Sequence, residues 1–547
     1  MNISAVTRSW AFSGSWASLL LSLAGCSSNT ATAARPGSDA GPDVVSSPQG
    51  DGGAVGAGGA GGKPVVERDA GRAGSGGGGE ITDASAGNQD GDATPEHDGS
   101  VATSHPLRFV WQRDYGQSYA AHVETDSMGA AIVSGTLFDT NNVVLGTNTL
   151  VSHGGADVML SRIAASGAIN WARTYGGTAD DYPVSFVLRK DDGIDLVGLY
   201  NGTGNIGGPP FPPFAGTPTR FDVYVAGLAA NGDHRFSKAI TSTQEAFAGP
   251  GLALDDTNAL LVPGSFLGTT TIASSEVSKG SWDAFFARYS EPAGAVTASV
   301  AFGSTGDDRA SQAIFTGTDV VLLGHFQGTV VFPTTPPTTL VSAGGNDVFV
   351  VRMSTAGVMT SAVAFGGTGD EDVSRARLDS SGNVVVGGVF SSPTLSVLGG
   401  PALKSKGGRD GFVAVLSPSL AHTWSVSFGG DGDDYLRDLA TGPSGTIAIT
   451  GEYRDSIQLD KLYHAAKDGD AATTDIDFFV ATLGSDGNVT WSATAGGPSA
   501  DRGLGVAMDE SGGVYVTASF QSAIDFGGDV LTPAAGQFGS ALVRYAP

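Results

Sequence analysis

The amino-acid sequence predicts an all-β fold built from seven repeats of a four-stranded antiparallel sheet, and three observations lead to it. First, one motif recurs along the chain: an apolar strand ends on a Gly pair and acidic residues follow, as in Trp424 to Asp434. Second, three separate columns of residues each occur seven times in the same order. Third, apolar residues alternate with polar ones at the period of strands, and no long helical pattern interrupts them. Together these observations are typical of a seven-bladed β-propeller.

The three columns define the length of one repeat. The residue before the Gly of the recurring motif forms the first column: Tyr115, Tyr175, Phe302, Phe365, Phe428 and Ala495, with a degenerate member near Ile240. A strand that ends in Gly-x-aromatic, or in a close copy, forms the second and ends at Leu137, Tyr200, Phe266, Phe326, Phe390, Tyr453 and Phe520. The residue that opens an apolar strand forms the third: Asp157, Asp222, Asp283, Asp347, Asp410, Asp477 and Ser540. The repeats are roughly 60 to 67 residues long, against about 40–45 for a WD40 unit. The excess lies between the second and third strands, where the sequence predicts extra short hairpins.

The fifth repeat shows how one sheet is built. Its four predicted strands are Val373–Leu378, Asn383–Phe390, Gly411–Leu416 and Thr423–Phe428, and Gly or Asp residues separate them. The Trp residues of the repeats lie in the fourth strand, so we expect them to pack between or outside the blades. The weakest repeat is the one around Phe236 to Gly249, where we expect neither the Gly pair nor the acids.

The two ends of the repeat region predict how the ring closes. Residues 107–115 have the register of a fourth strand with no first three before it, and the segment ending near Tyr545 is a third strand with no fourth after it. We therefore predict that the last blade consists of residues near 503–545 completed by 107–115. This arrangement removes the exposed edge that an open sheet would present.

The repeats resemble the SBBP-type β-propeller repeats of exported bacterial proteins. The segments Asp347 to Phe390 and Asp477 to Phe520 carry the family's Asp-x-Phe-Val, Gly and Asp-x-x-Gly-x-Val elements most completely. The resemblance implies a propeller on an exported protein. It implies no agreed activity, because function resides in sites and not in the fold.

The N-terminal segment predicts export and a lipid anchor. Arg8 precedes a moderately apolar run that ends in Leu23-Ala24-Gly25-Cys26. This run is too short for a confident membrane span, and its small residues suit a signal peptidase. Leu-Ala-Gly-Cys resembles the lipobox of bacterial lipoproteins, and the resemblance implies cleavage before Cys26 and lipidation of its sulfur. Because Ser27 is not Asp, it further implies the outer membrane or cell surface. The alternative is an ordinary secretory signal with a chance Cys.

Three segments follow from these patterns. Residues 1–25 are predicted to be a lipoprotein signal peptide and residues 105–547 the propeller. Residues 26–104 are rich in Gly, Ala, Asp and Ser and contain no aromatic residue. Such a segment cannot bury enough apolar surface to offset its ordering entropy, so we expect a disordered tether with a span on the order of 50 Å.

The charge of the chain restricts its partners. The 547 residues carry a net charge of −26. Nucleic acids and anionic membrane surfaces require cationic patches, so neither is expected as a partner apart from the lipid anchor at Cys26. We expect a monomeric propeller.

The acidic residues after each Gly pair are the most regular polar feature. They share one face of the predicted ring, and their residues are Asp180, Asp181, Asp307, Asp308, Asp370, Asp372, Asp433, Asp434 and Asp501. Asp after Gly initiates and caps turns, and repetition in nearly every blade favours that structural role. Ca²⁺ binding is the alternative, because Ca²⁺ takes carboxylate oxygens. The best single metal candidate is a group in the sixth repeat: Asp468, Asp470, Asp475 and Asp477.

The sequence contains no recognisable catalytic constellation. The eight His residues fall in different columns without metal-ligand spacing, and no Gly-x-Ser-x-Gly elbow stands on a strand-to-helix turn. We therefore expect no cofactor and a binding or structural module for a surface protein or polysaccharide. Two alternatives remain, a carbohydrate-active hydrolase or lyase with its site at the channel mouth and a Ca²⁺-dependent adhesin. An enzyme would require a non-repeating polar cluster at one end of the channel.

Overall fold

The fold is an all-β, seven-bladed propeller, as the sequence predicts. A computed structural model describes residues 107–138, 142–213, 220–465 and 476–547. Within these ranges the chain forms 37 strands and one short 3₁₀ helix, Pro443–Gly445. Seven antiparallel sheets each contain a set of four consecutive blade strands. No helix of the described residues is long and apolar enough to cross a membrane.

The first three blades follow one another along the chain. Blade 1 contains β2 (Ser118–Thr125), β3 (Ala131–Leu137), β6 (Asp157–Ile163) and β7 (Ile169–Tyr175). Blade 2 contains β8 (Asp181–Leu188), β9 (Ile194–Tyr200), β10 (Asp222–Leu228) and β11 (His234–Ser242). Blade 3 contains β14 (Leu260–Leu267), β17 (Asp283–Ser290), β18 (Ala295–Phe302) and an inner strand split into β12 (Glu245–Ala248) and β13 (Ala253–Leu254).

Blades 4 to 6 have the same order. Blade 4 contains β19 (Arg309–Phe315), β20 (Asp319–Phe332), β21 (Thr338–Ser354) and β22 (Met359–Phe365). Blade 5 contains β23 (Glu371–Leu378), β24 (Val384–Phe390), β27 (Asp410–Leu416) and β28 (His422–Phe428), which match the four strands predicted for this repeat. Blade 6 contains β29 (Tyr435–Thr441), β30 (Ile447–Tyr453), β33 (Asp477–Leu483) and β34 (Val489–Ala495).

The seventh blade joins the two ends of the repeat region. It contains β35 (Arg502–Met508), β36 (Val514–Phe520), β37 (Gly539–Ala546) and, as its outer strand, β1 (Arg108–Asp114). β1 pairs antiparallel with β37 from Arg108 opposite Ala546 to Asp114 opposite Ala541. The prediction that residues 107–115 complete the last blade is confirmed.

Short hairpins fill the connection between the second and third strands, as predicted. They are β4 (Val143–Leu145) with β5 (Asn148–Leu150), β15 (Thr269–Thr271) with β16 (Ser275–Val277), β25 (Thr394–Leu395) with β26 (Leu403–Lys404), and β31 (Ser456–Leu459) with β32 (Leu462–Ala465). In blade 4 the long strands β20 and β21 form the hairpin themselves. β15 pairs with β11, so one hairpin covers the outer edge of the preceding blade.

The hydrophobic core lies between neighbouring blades. One cluster joins Val321 and Val350 of blade 4 to Val386 and Phe412 of blade 5, and equivalent clusters occupy other interfaces. The alternation of side chains along each strand supplies both faces of a sheet, and each face packs on the next blade. This packing fixes the inner strands around a central channel.

Candidate functional site

The inner strands carry a repeated irregularity that shapes the channel. In six blades the pairing of the first strand with the second shifts by one residue, and the bulged residues are Ala121, Val184, Ser311, Ser374, Arg437 and Leu504. In blade 3 the inner strand is interrupted between Ala248 and Ala253. A bulge re-aims side chains locally. The residues that follow the bulges differ from blade to blade, so the channel has a polar set that does not repeat.

Arg375 of blade 5 is the centre of that set. Its Nε donates to Asp438 Oδ1 of blade 6 at 2.5 Å, and its Nη1 donates to the Pro250 carbonyl oxygen of blade 3 at 2.5 Å. Its third nitrogen, Nη2, lies 2.8 Å from His122 Nδ1 of blade 1. Because these partners belong to blades that are not all neighbours, the Arg375 side chain crosses the channel. Only 1% of its surface is exposed.

Two more charged side chains extend this polar cluster. Glu124 contacts His122 Nε2 at 3.2 Å and forms an ion pair with Arg377. Burial disfavours the charged form of Asp438, but Arg375 and His122 outweigh burial and hold its pKa below the usual range. Arg377 and His122 likewise lower the pKa of Glu124 against the effect of burial. Asp438 also accepts the Val506 N–H of blade 7 at 3.0 Å, so the cluster connects blades 1, 3, 5, 6 and 7.

A cavity lies at the end of the channel where the fourth-to-first-strand turns and the hairpins lie. It contains about 720 Å³ of space, part of it open solvent. Its lining comes from blades 2 to 6 and includes four of the bulged residues, Val184, Ser311, Ser374 and Arg437. Val184, Leu199 and Phe247 form an apolar side, and His325, Asp372 and Arg309 are also part of the lining.

His325 and Asp372 are the most informative residues in this cavity. His325 Nδ1 lies 3.1 Å from Asp372 Oδ1, and the His325 side chain is 3% exposed. Burial lowers the pKa of His325, but Asp372 outweighs burial and raises it overall. His325 Nε2, Ser311 Oγ and Arg437 Nε are buried without a hydrogen-bond partner among the described residues. Buried polar atoms usually have partners, so these three are unsatisfied hydrogen-bonding atoms of residues that line the cavity.

The arginines of the cavity are already paired. Arg309 donates to Asp307 Oδ1 at 2.9 Å and stacks over the Trp282 ring at 4.3 Å. Arg437 donates to Glu452 Oε1 at 2.5 Å. These carboxylates offset the positive charge, so the cavity presents hydrogen-bonding groups more than net charge.

The acids predicted at the turns occupy two kinds of position. The first member of a pair binds the loop that precedes the third strand. Asp180 Oδ1 accepts the Ala156 N–H at 3.0 Å, Asp370 Oδ1 accepts the Asn346 N–H at 3.1 Å, and Asp433 Oδ1 accepts the Arg409 N–H at 2.9 Å. Asp307 differs, because its carboxylate pairs with Arg309.

The second member of each pair is buried and accepts a backbone N–H from its own turn. The oxygen Oδ2 of Asp181, Asp308, Asp434 and Asp501 accepts an N–H from Gly177, Ser304, Gly430 and Gly497, respectively. In blade 5 this role belongs to Glu371, which accepts the Gly367 N–H at 2.6 Å. Asp372, grouped with Asp370 at the sequence level, faces His325 instead. The expectation that the repeat near Phe236 lacks an acid is wrong, because Glu245 occupies the position beside Asp222.

The metal candidate is described only at one of its residues. Asp477 opens β33 and is buried, whereas Asp468, Asp470 and Asp475 lie outside the described residues, as does Cys26. Within the described ranges, no group of three or more His, Cys, Asp or Glu side chains is arranged to hold a metal ion.

Sequence reasoning missed His122, Glu124, Arg375, Arg377, Asp438, His325 and Glu371. The first five are isolated polar residues in apolar strands, and the available signal was that each stands at a position where the other repeats have a different residue. That signal marks a position that does not repeat, but it does not show which blades face each other across the ring.

Comparisons with known proteins give a partial sequence match. No family model matches the chain. The regulatory protein FlaEY of Caulobacter vibrioides is 24% identical over 366 residues, which cover 62% of this chain and 38% of FlaEY. The chain thus spans well under half the length of this relative.

Solved structures give only remote similarities. A protein of unknown function from Dyadobacter fermentans is 11% identical with a TM-score of 0.38, covering 81% of this chain and 98% of its own. The quinohemoprotein alcohol dehydrogenase of Comamonas testosteroni is 11% identical with a TM-score of 0.36, covering 81% and 77%. The polysaccharide lyase Uly1 is 9% identical with a TM-score of 0.38, covering 82% and 94%. At these identities and TM-scores, none of the three indicates what this chain does.

Proposed function

We propose that this protein is a ligand-binding propeller that takes a saccharide at the cavity containing His325. The observation that carries the proposal is the set of three buried polar atoms without partners, His325 Nε2, Ser311 Oγ and Arg437 Nε, on one cavity. Leaving such atoms unpaired costs about 1–3 kcal/mol each, and a ligand with hydroxyl groups removes that cost.

The apolar side of the cavity favours a sugar over a small ion. Phe247, Leu199 and Val184 offer a surface for the C–H face of a sugar ring, and the polar atoms opposite them can bond its hydroxyl groups. Arg375, whose contacts cross the channel, donates to the carbonyl oxygen of Pro250, which lines the cavity. Side chains that cross the channel next to the cavity leave less room for a continuous chain, so a chain end or a side branch of a polysaccharide fits better.

Binding is tested with the full chain and a panel of polysaccharides and oligosaccharides by calorimetry. His325→Ala removes one charge-assisted hydrogen bond, so affinity should fall about tenfold or more. His153→Ala is the matched control, because His153 is half exposed on a loop of blade 1. Equal affinity of both variants and the original chain would contradict the proposed site, and binding of a protein instead of a glycan would contradict the ligand class.

The pair formed by His325 and Asp372 favours a second candidate function, acid–base catalysis on a saccharide. A carboxylate that holds one imidazole nitrogen leaves the other free to accept or donate a proton, and His325 Nε2 is the free atom here. A hydrolase would produce new reducing ends, and a lyase would produce an unsaturated sugar that absorbs ultraviolet light. The catalytic candidate requires that His325→Ala abolish turnover and that Asp372→Asn reduce it. Tight binding with no product from any polysaccharide would leave only the binding module.

We further propose that the propeller is held at the outer membrane or cell surface by a lipid on Cys26, with residues 26–104 as the tether. The Leu-Ala-Gly-Cys motif supports this location, and several acyl chains anchor stably where one does not. Cys26→Ser should move the protein from the membrane fraction to the soluble exported fraction. Membrane retention of that variant would contradict the anchor.

A further inference from the structure

A pair of buried carboxyl groups recurs at the same register positions of five of the seven junctions between blades. One carboxyl opens the third strand of a blade, or lies within it in the case of Asp347, and the other opens, or directly precedes, the first strand of the next blade. The pairs are Asp157 with Asp181, Asp283 with Asp308, Asp347 with Glu371, Asp410 with Asp434, and Asp477 with Asp501. All ten side chains are more than nine-tenths buried. The junction between blades 2 and 3 has Asp222 and Glu245, but Glu245 stands one residue earlier in register, opposite Leu267. A buried charge normally needs a counterion or hydrogen bonds that satisfy it.

The junction between blades 5 and 6 shows the geometry. Asp410 Oδ2 accepts the Lys406 N–H and Asp434 Oδ2 accepts the Gly430 N–H, both at 2.7 Å. Asp410 Oδ1 is buried with no hydrogen-bond partner among the described residues. A β-carbon placed on Gly429 would lie 1.8 Å from Asp410 Oδ1 and 2.9 Å from Asp434 Oδ2, so the two carboxyl groups flank the same point. Glycine at this position leaves the space between them open.

The seventh junction provides an internal comparison. Between blades 7 and 1 the corresponding residues are Gly539, which lies opposite Phe520 as Asp410 lies opposite Phe390, and Ser118, which is fully buried. Neither residue carries a carboxyl group, and Ser118 Oγ donates to the Tyr115 carbonyl oxygen at 2.8 Å. Where one carboxyl group is absent, its partner is absent too. The two acids of a junction therefore act as a unit.

We infer that each of the five junctions is a proton-binding site, in which two carboxyl groups share one proton and the shared proton closes the contact between adjacent blades. One carboxyl then donates an O–H to the other, which at the Asp410–Asp434 junction gives Asp410 Oδ1 a hydrogen-bond partner. Two ionised carboxylates this close and this buried repel each other, so one of them holds a proton at neutral pH. The inference does not depend on the ligand cavity.

A metal ion fits these junctions less well than a proton. Ca²⁺ takes 6–8 oxygen ligands, whereas a junction offers two carboxyl groups whose Oδ2 atoms mostly accept backbone N–H groups already. The described part of the chain shows no group of three metal-ligating side chains. Burial, followed by the nearby acids, raises the pKa of Asp434 to about 8 and that of Asp501 to about 8, which supports a retained proton.

The other charged groups near the Asp410–Asp434 pair leave the site short of positive charge. Lys406 precedes β27, and its Nζ is 3.4 Å from the Gly429 carbonyl oxygen. Asp433 lies beside Asp434 in the turn and adds negative charge. From the end of β30, Tyr453 lies near the pair and the Arg454 backbone N–H donates to Asp434 Oδ1 at 3.3 Å. Arg409 directly precedes Asp410, but its guanidinium pairs with Asp370. Lys406 acts on the charge of Asp410, whereas Asp410 and Asp433 both disfavour ionisation of Asp434, so the pair retains a proton.

The test removes both carboxyl groups of one junction. Thermal unfolding of the full chain is followed from about pH 5 to about pH 9 for the original sequence and for Asp410→Ser/Asp434→Ser. The native state binds more protons than the unfolded state at these sites, so stability is present at acidic pH and falls as pH rises. As pH rises over this range, the Tm of the double variant should fall less than the Tm of the original sequence. Calorimetry in two buffers measures the protons released on unfolding, and near pH 7 the double variant should release about one proton fewer than the original.

Two further variants serve as controls for this experiment. Asp431→Asn changes an exposed acid of the same turn and should leave the pH dependence as it is. If the double variant does not fold, Asp410→Asn supplies a neutral side chain of the same shape and should also flatten the pH dependence. The inference is overturned if neither variant changes proton release. It is also overturned if Ca²⁺ restores the Tm at about pH 9 and EDTA reverses the effect.

Discussion

Arg375 and Asp438 form an ion pair of 2.5 Å across the inner strands of blades 5 and 6, and neither side chain is more than 1% exposed. The same guanidinium also contacts blades 1 and 3, so one side chain holds four parts of the ring together. Arg377 and Glu124 form a further ion pair between blades 5 and 1, which are not neighbours. These contacts across the channel add to the packing of neighbouring blades, and Pro250, one partner of Arg375, also lines the cavity.

Removing this arginine should strongly destabilise the propeller. Arg375→Met leaves Asp438 as a buried carboxylate without its counterion, which costs about 3–5 kcal/mol in the free energy of unfolding. Denaturant unfolding of the full chain measures this change. Arg173→Met is the control, because Arg173 and Asp233 form an exposed pair that should contribute little to stability. Equal losses for the two variants would show that the cross-channel pair has no special role.

The pH dependence of ligand binding should report on Asp372. This carboxylate raises the pKa of His325, so Asp372→Asn should move the titration of His325 to lower pH. Histidine NMR signals follow the titration directly, and the midpoint of binding against pH should move in the same direction. Asp370→Asn is a nearby control that should leave the midpoint unchanged, since Asp370 bonds the Asn346 N–H instead. A midpoint unaffected by Asp372→Asn would remove this residue from the site.

The blades could be predicted from the sequence because every repeat has the same local pattern of alternating strands and turn residues. The strands of the fifth repeat and the pairing of 107–115 with the last blade follow from alternation and turn residues, which are local properties. The identity of the paired acids was harder. Glu371 and Glu245 replace Asp at two junctions, and a residue-by-residue match to Asp overlooked them.

The polar channel could not be predicted in the same way. Arg375 lies 253 residues after His122 and 63 residues before Asp438 along the chain. The three side chains meet because seven inner strands converge. Their proximity depends on the order of blades around the axis and on a one-residue bulge in each inner strand. Neither feature leaves a periodic signal in the sequence.

Ser311 allows a test that separates binding from stability. Its hydroxyl is buried without a partner on the cavity wall, so Ser311→Ala should leave the free energy of unfolding nearly unchanged. If a saccharide hydroxyl bonds Ser311, the variant should lose about 0.5–1.5 kcal/mol of binding free energy, roughly two- to tenfold in affinity. Ser134→Ala is the matched control, because Ser134 Oγ is also buried and unpartnered but lies outside the cavity. A loss of affinity in both variants would point to an indirect effect.

Closure of the ring by β1 should be essential for its stability. β1 is the outer strand of blade 7, and Arg113 lies opposite Leu542 in its ladder with β37. Proline lacks the N–H that a ladder needs, so Arg113→Pro should detach β1 and expose the edge of β37. The expected results are a lower Tm and rapid cleavage by a protease near residues 107–115. Arg113→Ala keeps the backbone N–H and loses only side-chain contacts, so it should remain resistant. These contacts are the hydrogen bonds to the carbonyl oxygens of Gly167 at 2.6 Å and Gln112 at 3.1 Å, and the contact with the Trp111 ring. If the proline and alanine variants have the same Tm and the same protease resistance, then the pairing of β1 with β37 does not hold the ring closed.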